Sequence, residues 1–126
     1  MLSKKAQYAF RALTVLVLNH GNGPFPISAI VKEYPISTKF LETILLELKR
    51  GGVLGSRKGK GGGYYLLESP KNVSFAKVIR ILDGDKQWDW VNDSDELDGR
   101  FYEIMTEVRE AKLKVLDHRT LADLID

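Results

Sequence analysis

Lys49, Arg50, Arg57, Lys58 and Lys60 fall in a stretch, residues 49–60, that holds no Asp or Glu. The last three surround or enter the run Lys58-Gly59-Lys60-Gly61-Gly62-Gly63. The chemistry open to such a group is non-covalent: charged N–H donors meeting the phosphate oxygens of a polyanion. Just upstream stand Ser37, Thr38, Lys39 and Glu42. Ser37 can present a helix N-terminus to phosphate. Thr38 and Lys39 sit where a reading helix meets base edges, and lysine can donate to guanine O6 or N7. Glu42 can accept from cytosine N4, or can equally be an exposed charge paired with Lys39 or Lys49. Lys5, Tyr8 and Lys49 are weaker candidates for backbone contacts, and Tyr8 can equally pack in the core.

Covalent chemistry finds no comparable grouping. There is no cysteine, and the two histidines, His20 and His118, stand far apart. The glycines at 59–63 lie between two short β-type runs, not between a strand and a helix, so they do not form a phosphate loop. Asp93, Asp95 and Asp98 miss the spacing of a calcium loop. No enzyme activity, metal or cofactor is expected.

The elements that must hold these side chains follow from periodicity. Phe40, Leu41, Ile44, Leu45 and Leu48 share one helical face, with Ser37 as N-cap and Gly51-Gly52 as the stop. Val53–Arg57 and Tyr64–Leu67 read as a β-hairpin with a cationic tip. A first helix runs from the cap Ser3 to about Asn19, with Ala6, Ala9, Phe10, Leu13, Leu16 and Val17 inward. Pro24 and Pro26 keep the next stretch extended, with a short strand expected around Phe25–Ile27. Ser28 is expected to cap a second helix, Ala29–Tyr34, that braces the third in a helix-turn-helix. Helix 37–50 followed by the hairpin makes a winged helix.

Ser74 opens a fourth helix, with Phe75, Val78, Ile79 and Leu82 inward and Gly84 ending it. Residues 85–99 are acidic and irregular and carry Trp88 and Trp90. A fifth helix, from about Arg100 to Leu116, bears Phe101, Ile104, Met105, Val108, Ala111 and Val115 along one side. That stripe must be covered, either by helix 1 or by a second copy, and a palindromic duplex favours the second copy. Thr120–Asp123 fits a capping box. The fold class is therefore mainly α with a small β-hairpin: residues 1–84 form the winged helix-turn-helix, 85–99 a connecting loop, and 100–126 the dimerisation helix and tail.

Charge supports this division. The 126 residues carry a formal net charge of +2, with 44% hydrophobic residues. Residues 1–80 hold 13 Lys and Arg against 4 Asp and Glu, whereas residues 81–126 hold 6 against 13. A basic half and an acidic half imply that one end meets a polyanion and the other does not. The longest apolar run is too short to span a bilayer, and no signal-peptide layout precedes it. A cytoplasmic protein without membrane partners is expected.

Several motifs in order are similar to the Rrf-two family of bacterial winged-helix transcription regulators. They are Leu2-Ser3-Lys4-x-x-x-Tyr8-Ala9-x-Arg11-Ala12-Leu13, Ile36-Ser37-x-x-Phe40-Leu41-Glu42-x-Ile44-Leu45, Gly59-x-Gly61-Gly62-Gly63-Tyr64-x-Leu66, and Pro70-x-x-Val73-Ser74 leading to Asp83-Gly84. The resemblance implies a homodimeric regulator, with the third helix in the major groove, the wing at the minor groove and the fifth helices crossing. Two departures matter. Members that hold an iron–sulfur cluster carry three cysteines between the fourth and fifth helices; this chain has none, and Trp88 and Trp90 stand there instead. Lys58 occupies the wing position that commonly holds arginine, and lysine is a point charge without the planar fork.

The expected function is a sequence-specific DNA-binding repressor acting as a homodimer on an inverted-repeat operator. Trp88 and Trp90 are candidates for an effector pocket or for contact with a regulatory protein, or they simply pack on the dimer helices. The alternative is a winged-helix module that binds protein or RNA without operator specificity.

Overall fold

The computed structural model describes residues 2–84 and 99–125. Trp88, Trp90 and the aspartates of the acidic stretch through Asp98 lie outside the described residues. The chain folds as α1 (Lys4–Leu18), α2 (Ile27–Glu33), α3 (Thr38–Arg50), β1 (Leu54–Arg57), β2 (Gly63–Leu66), α4 (Phe75–Asp83) and α5 (Gly99–His118). Short 3-10 turns lie at Pro70–Asn72 and Leu121–Leu124.

Three serines start three helices. Ser3 Oγ accepts from Ala6 N at 3.0 Å, Ser37 Oγ from Phe40 N at 3.2 Å and Ser74 Oγ from Lys77 N at 3.1 Å. Each satisfies a first-turn N–H that has no helical partner. Ser28 does not act this way. Helix α2 begins at Ile27 with Pro26 as its N-cap and no side-chain cap bond, so Ser28 is an exposed first-turn residue. The expected strand at Phe25–Ile27 shrinks to a single bridge, in which Phe25 and Tyr64 exchange N–H···O bonds of 2.8 and 2.9 Å. Pro26 has no N–H, so the ladder cannot continue, and its fixed φ leads directly into the helix.

The core is continuous. Leu13, Ile30, Leu41, Ile44, Leu45, Leu48, Leu54, Val78 and Ile79 are all buried within it, and Phe10 stacks on Phe75 with ring centroids 4.5 Å apart. Every residue of the expected α1 stripe is buried, and so are Ala12 and Val15 beside it. The C-terminal turn Leu121–Leu124 packs on α1 as well. Leu121 is fully buried, its N–H bonds Val73 O at 3.0 Å, and Phe75 N–H bonds Arg119 O at 2.9 Å. The capping box closes with Thr120 N–H to Asp123 Oδ2 at 2.9 Å. Helix α5 therefore packs along α4, and the turn that follows it returns to α1.

Helix α5 has two unlike sides. Leu113 and Leu116 are half-buried against the core. Phe101, Ile104, Val108 and Val115 remain between 46% and 57% exposed, Ala111 is exposed, and Met105 is half-buried.

Candidate nucleic-acid interface

Burial of Leu41, Ile44, Leu45 and Leu48 fixes how α3 is rotated. The opposite face, carrying Thr38, Lys39, Glu42, Thr43, Leu46 and Lys49, is left to solvent. The pairs 38/42, 39/42, 39/43, 42/46, 43/46 and 46/49 lie three or four residues apart, which is the spacing of one helical face. Thr43 and Leu46 were not among the expected contacts, although the same spacing continued from Lys39 and Glu42 reaches both. Leu46 is 36% exposed. An apolar side chain on an otherwise polar reading face is suited to a thymine methyl group.

The hairpin is joined to this face. Its register pairs Leu54 with Leu66, Gly55 with Tyr65, Ser56 with Tyr64 and Arg57 with Gly63. Lys49 Nζ donates to Ser56 Oγ at 2.7 Å, so the end of α3 is tied to β1 by one of the expected phosphate contacts. Glu42 reaches toward the hairpin as well: burial first, and the Glu42 carboxylate second, push the Tyr64 phenol above its ordinary value. Lys49 bonds Ser56 rather than pairing with Glu42.

At the tip, Arg57, Lys58 and Lys60 are all exposed. No carboxylate among the described residues pairs with any of the three, so their charge stays available. Gly59 and Gly61, at φ of 88° and 77°, supply the left-handed backbone of the turn. Lys5 differs in that its Nζ sits 3.1 Å from Glu47 Oε2, a bond that braces α1 against α3. Tyr8 is half-buried, edge-on to Phe40 at 5.8 Å, with Arg11 over its ring. In the free chain both are engaged in holding the reading helix.

The arrangement is a groove-sized helix with a mostly polar face, flanked by a cationic loop. Among the described residues no three His, Cys, Asp or Glu side chains gather as metal ligands. No described helix is long and apolar enough to cross a membrane.

Comparison with known proteins agrees with this geometry. Residues 2–126 match the Rrf2 family model, described as iron-dependent transcriptional regulators. With no cysteine in the chain, the donor set does not fit a thiolate-held iron cluster. The HTH-type transcriptional regulator CymR of Bacillus subtilis is 31% identical over 123 residues, covering 98% of this chain and 88% of that protein. A putative rrf2-like HTH-type regulator of Rhodobacter capsulatus is 30% identical over 139 residues, covering 99% and 92%. The solved structure of CymR, titled the global cysteine regulator of B. subtilis, superposes with a TM-score of 0.89 at 29% identity over 98% of this chain and 95% of that one. A winged reading head matched along its whole length by such proteins is no enzyme: the chain belongs to the Rrf2 family and is a DNA-binding transcriptional regulator.

Proposed function

We propose that the protein works as a homodimeric repressor on an inverted-repeat operator, with α3 in the major groove and the wing at the minor groove of each half-site. One observation carries this reading: an exposed, mostly polar face on α3 lies beside three wing cations that no carboxylate among the described residues neutralises. Thr38, Lys39 and Glu42 meet base edges, Leu46 meets a thymine methyl, and Arg57, Lys58 and Lys60 meet phosphates. Lys58 approaches the minor groove as a point charge, so it senses groove width through potential rather than by a fork.

The exposed apolar side of α5 supports the dimer. Four large apolar residues on one helix, each about half exposed, are best covered by the same face of a second copy, since an isologous contact is self-complementary. Two copies then present two reading heads to one palindrome.

Light scattering on the purified chain, paired with fluorescence anisotropy on the DNA upstream of its own gene, tests both parts. A mass of twice 14.2 kDa and an affinity well above that for random duplex are expected. A strictly monomeric protein that prefers no duplex at moderate salt would overturn the reading.

A further inference from the structure

Between the end of α1 and the hairpin lies a cavity of about 320 Å³ whose lining includes no residue of α3. Its lining is largely apolar and includes the buried Leu16 and Leu66 with the half-buried Phe25 and Tyr65. His20 and Arg57 stand at its exposed side, and among the described residues no carboxylate lines it. The remaining amide, Asn19, already donates from Nδ2 to Val15 O at 2.8 Å.

The walls are held by backbone. Phe25 is fastened to Tyr64 by the exchanged pair of hydrogen bonds. The Tyr65 ring lies across β1 because Gly55 lacks a side chain; a Cβ there would come 2.6 Å from Tyr65 Cζ. Gly21 and Gly23, at φ of 90° and 86°, turn the chain along the rim. A cavity of this size, apolar with a few convergent polar groups and already formed, has the character of a small-molecule site.

The geometry points to a specific ligand class: a small aromatic monocarboxylate, its ring against Leu16, Phe25 and Tyr65 and its carboxylate on the Arg57 guanidinium. A planar fork meets a carboxylate through two parallel N–H···O bonds, and no acidic residue among the described lining competes for that partnership. One consequence rests on the DNA reading above. Arg57 is also a wing cation, so a ligand that occupies it withdraws one phosphate contact, and both affinity and salt slope fall by the share of one contact.

The test uses the full ¹⁵N-labelled chain without DNA, titrated into the millimolar range with benzoate and with its neutral counterpart benzamide. Benzoate is expected to shift amides of residues 19–25 and 63–66, and benzamide to bind about tenfold more weakly, equivalent to about 1.4 kcal/mol. Arg57→Gln should erase the preference for benzoate while retaining the weaker benzamide shifts. His20→Trp, which fills the mouth, should suppress both and leave the affinity for DNA alone unchanged. No shift at these amides, equal binding of the two probes, or shifts indifferent to both variants would each overturn the proposal. Because the readout contains no DNA, such a failure leaves the regulator reading intact, and a failure to bind an operator leaves this result intact.

Discussion

Lys58 and Lys60 carry charges whose value depends on how many condensed counterions they displace, not on which bases lie beneath them. Each is exposed and without a described acidic partner. Lys58→Ala and Lys60→Ala are therefore expected to weaken binding to all duplexes alike, each lowering the salt slope by about one. Anisotropy titrations at several salt concentrations would check this, and unchanged slopes in both variants would remove the wing from the account. Tyr64 makes a second prediction. Its folded-state pKa is raised, chiefly by burial and then by Glu42, so the folded chain holds the phenolic proton more tightly than the unfolded chain does. The corresponding stability is complete below the ordinary value of 10.0 and is lost as pH rises through the folded pKa. Urea melts should show Tyr64→Phe losing less stability than the parent at alkaline pH. Glu42→Gln should lower the Tyr64 pKa only partway, because burial is the larger cause. The wing cations were legible in sequence because five basic residues occur with no acid among them. The influence of Glu42 on Tyr64 was not, since residues 42 and 64 come near each other only through the fold.

At the scale of elements, helix ends and helix faces were the readable features. Ser3, Ser37 and Ser74 cap as their positions imply, because an N-cap bond spans only three residues. The segment from Phe25 to Ser28 departs from the expected strand and cap for two reasons. The bridge to Tyr64 joins only Phe25, and Pro26, lacking an N–H, ends the ladder and becomes the N-cap itself. The same junction supplies a prediction. Gly63 has φ +143°, and a Cβ there would come 2.3 Å from Phe25 O. Gly63→Ala must strain the backbone or break the bridge, at a cost of about 1–3 kcal/mol. Denaturant midpoints should fall accordingly, and DNA affinity should fall with them because the wing is no longer fixed beside α3. A variant as stable as the parent would mean that the wing tolerates displacement.

For the whole molecule, the question is what the exposed side of α5 meets. Its apolar stripe was visible from spacing alone, whereas Leu113 and Leu116, which pack against the core, were given no partner by it. Helical periodicity marks apolar positions but does not say which of two neighbours covers each. Ile104→Glu places a charge in the middle of the exposed stripe without touching the buried side. It is expected to yield folded monomers and a loss of operator affinity of at least about tenfold, since one half-site no longer assists the other. Sedimentation and anisotropy would check the two effects together; a dimeric variant would place the contact elsewhere.

The return of the C-terminal turn to α1 has a consequence for signalling. Leu121 and Arg119 pin the end of α5 to Val73 and Phe75, and Ser3 Oγ donates to Asp83 Oδ1 at 2.5 Å where α4 ends. The long helix thus moves as one lever with the head it serves, instead of swinging on a loose strap. In a pair of copies, any influence that changes the angle between the two levers must alter the distance between the heads, so its cheapest outlet is a mismatch with the pitch of the double helix.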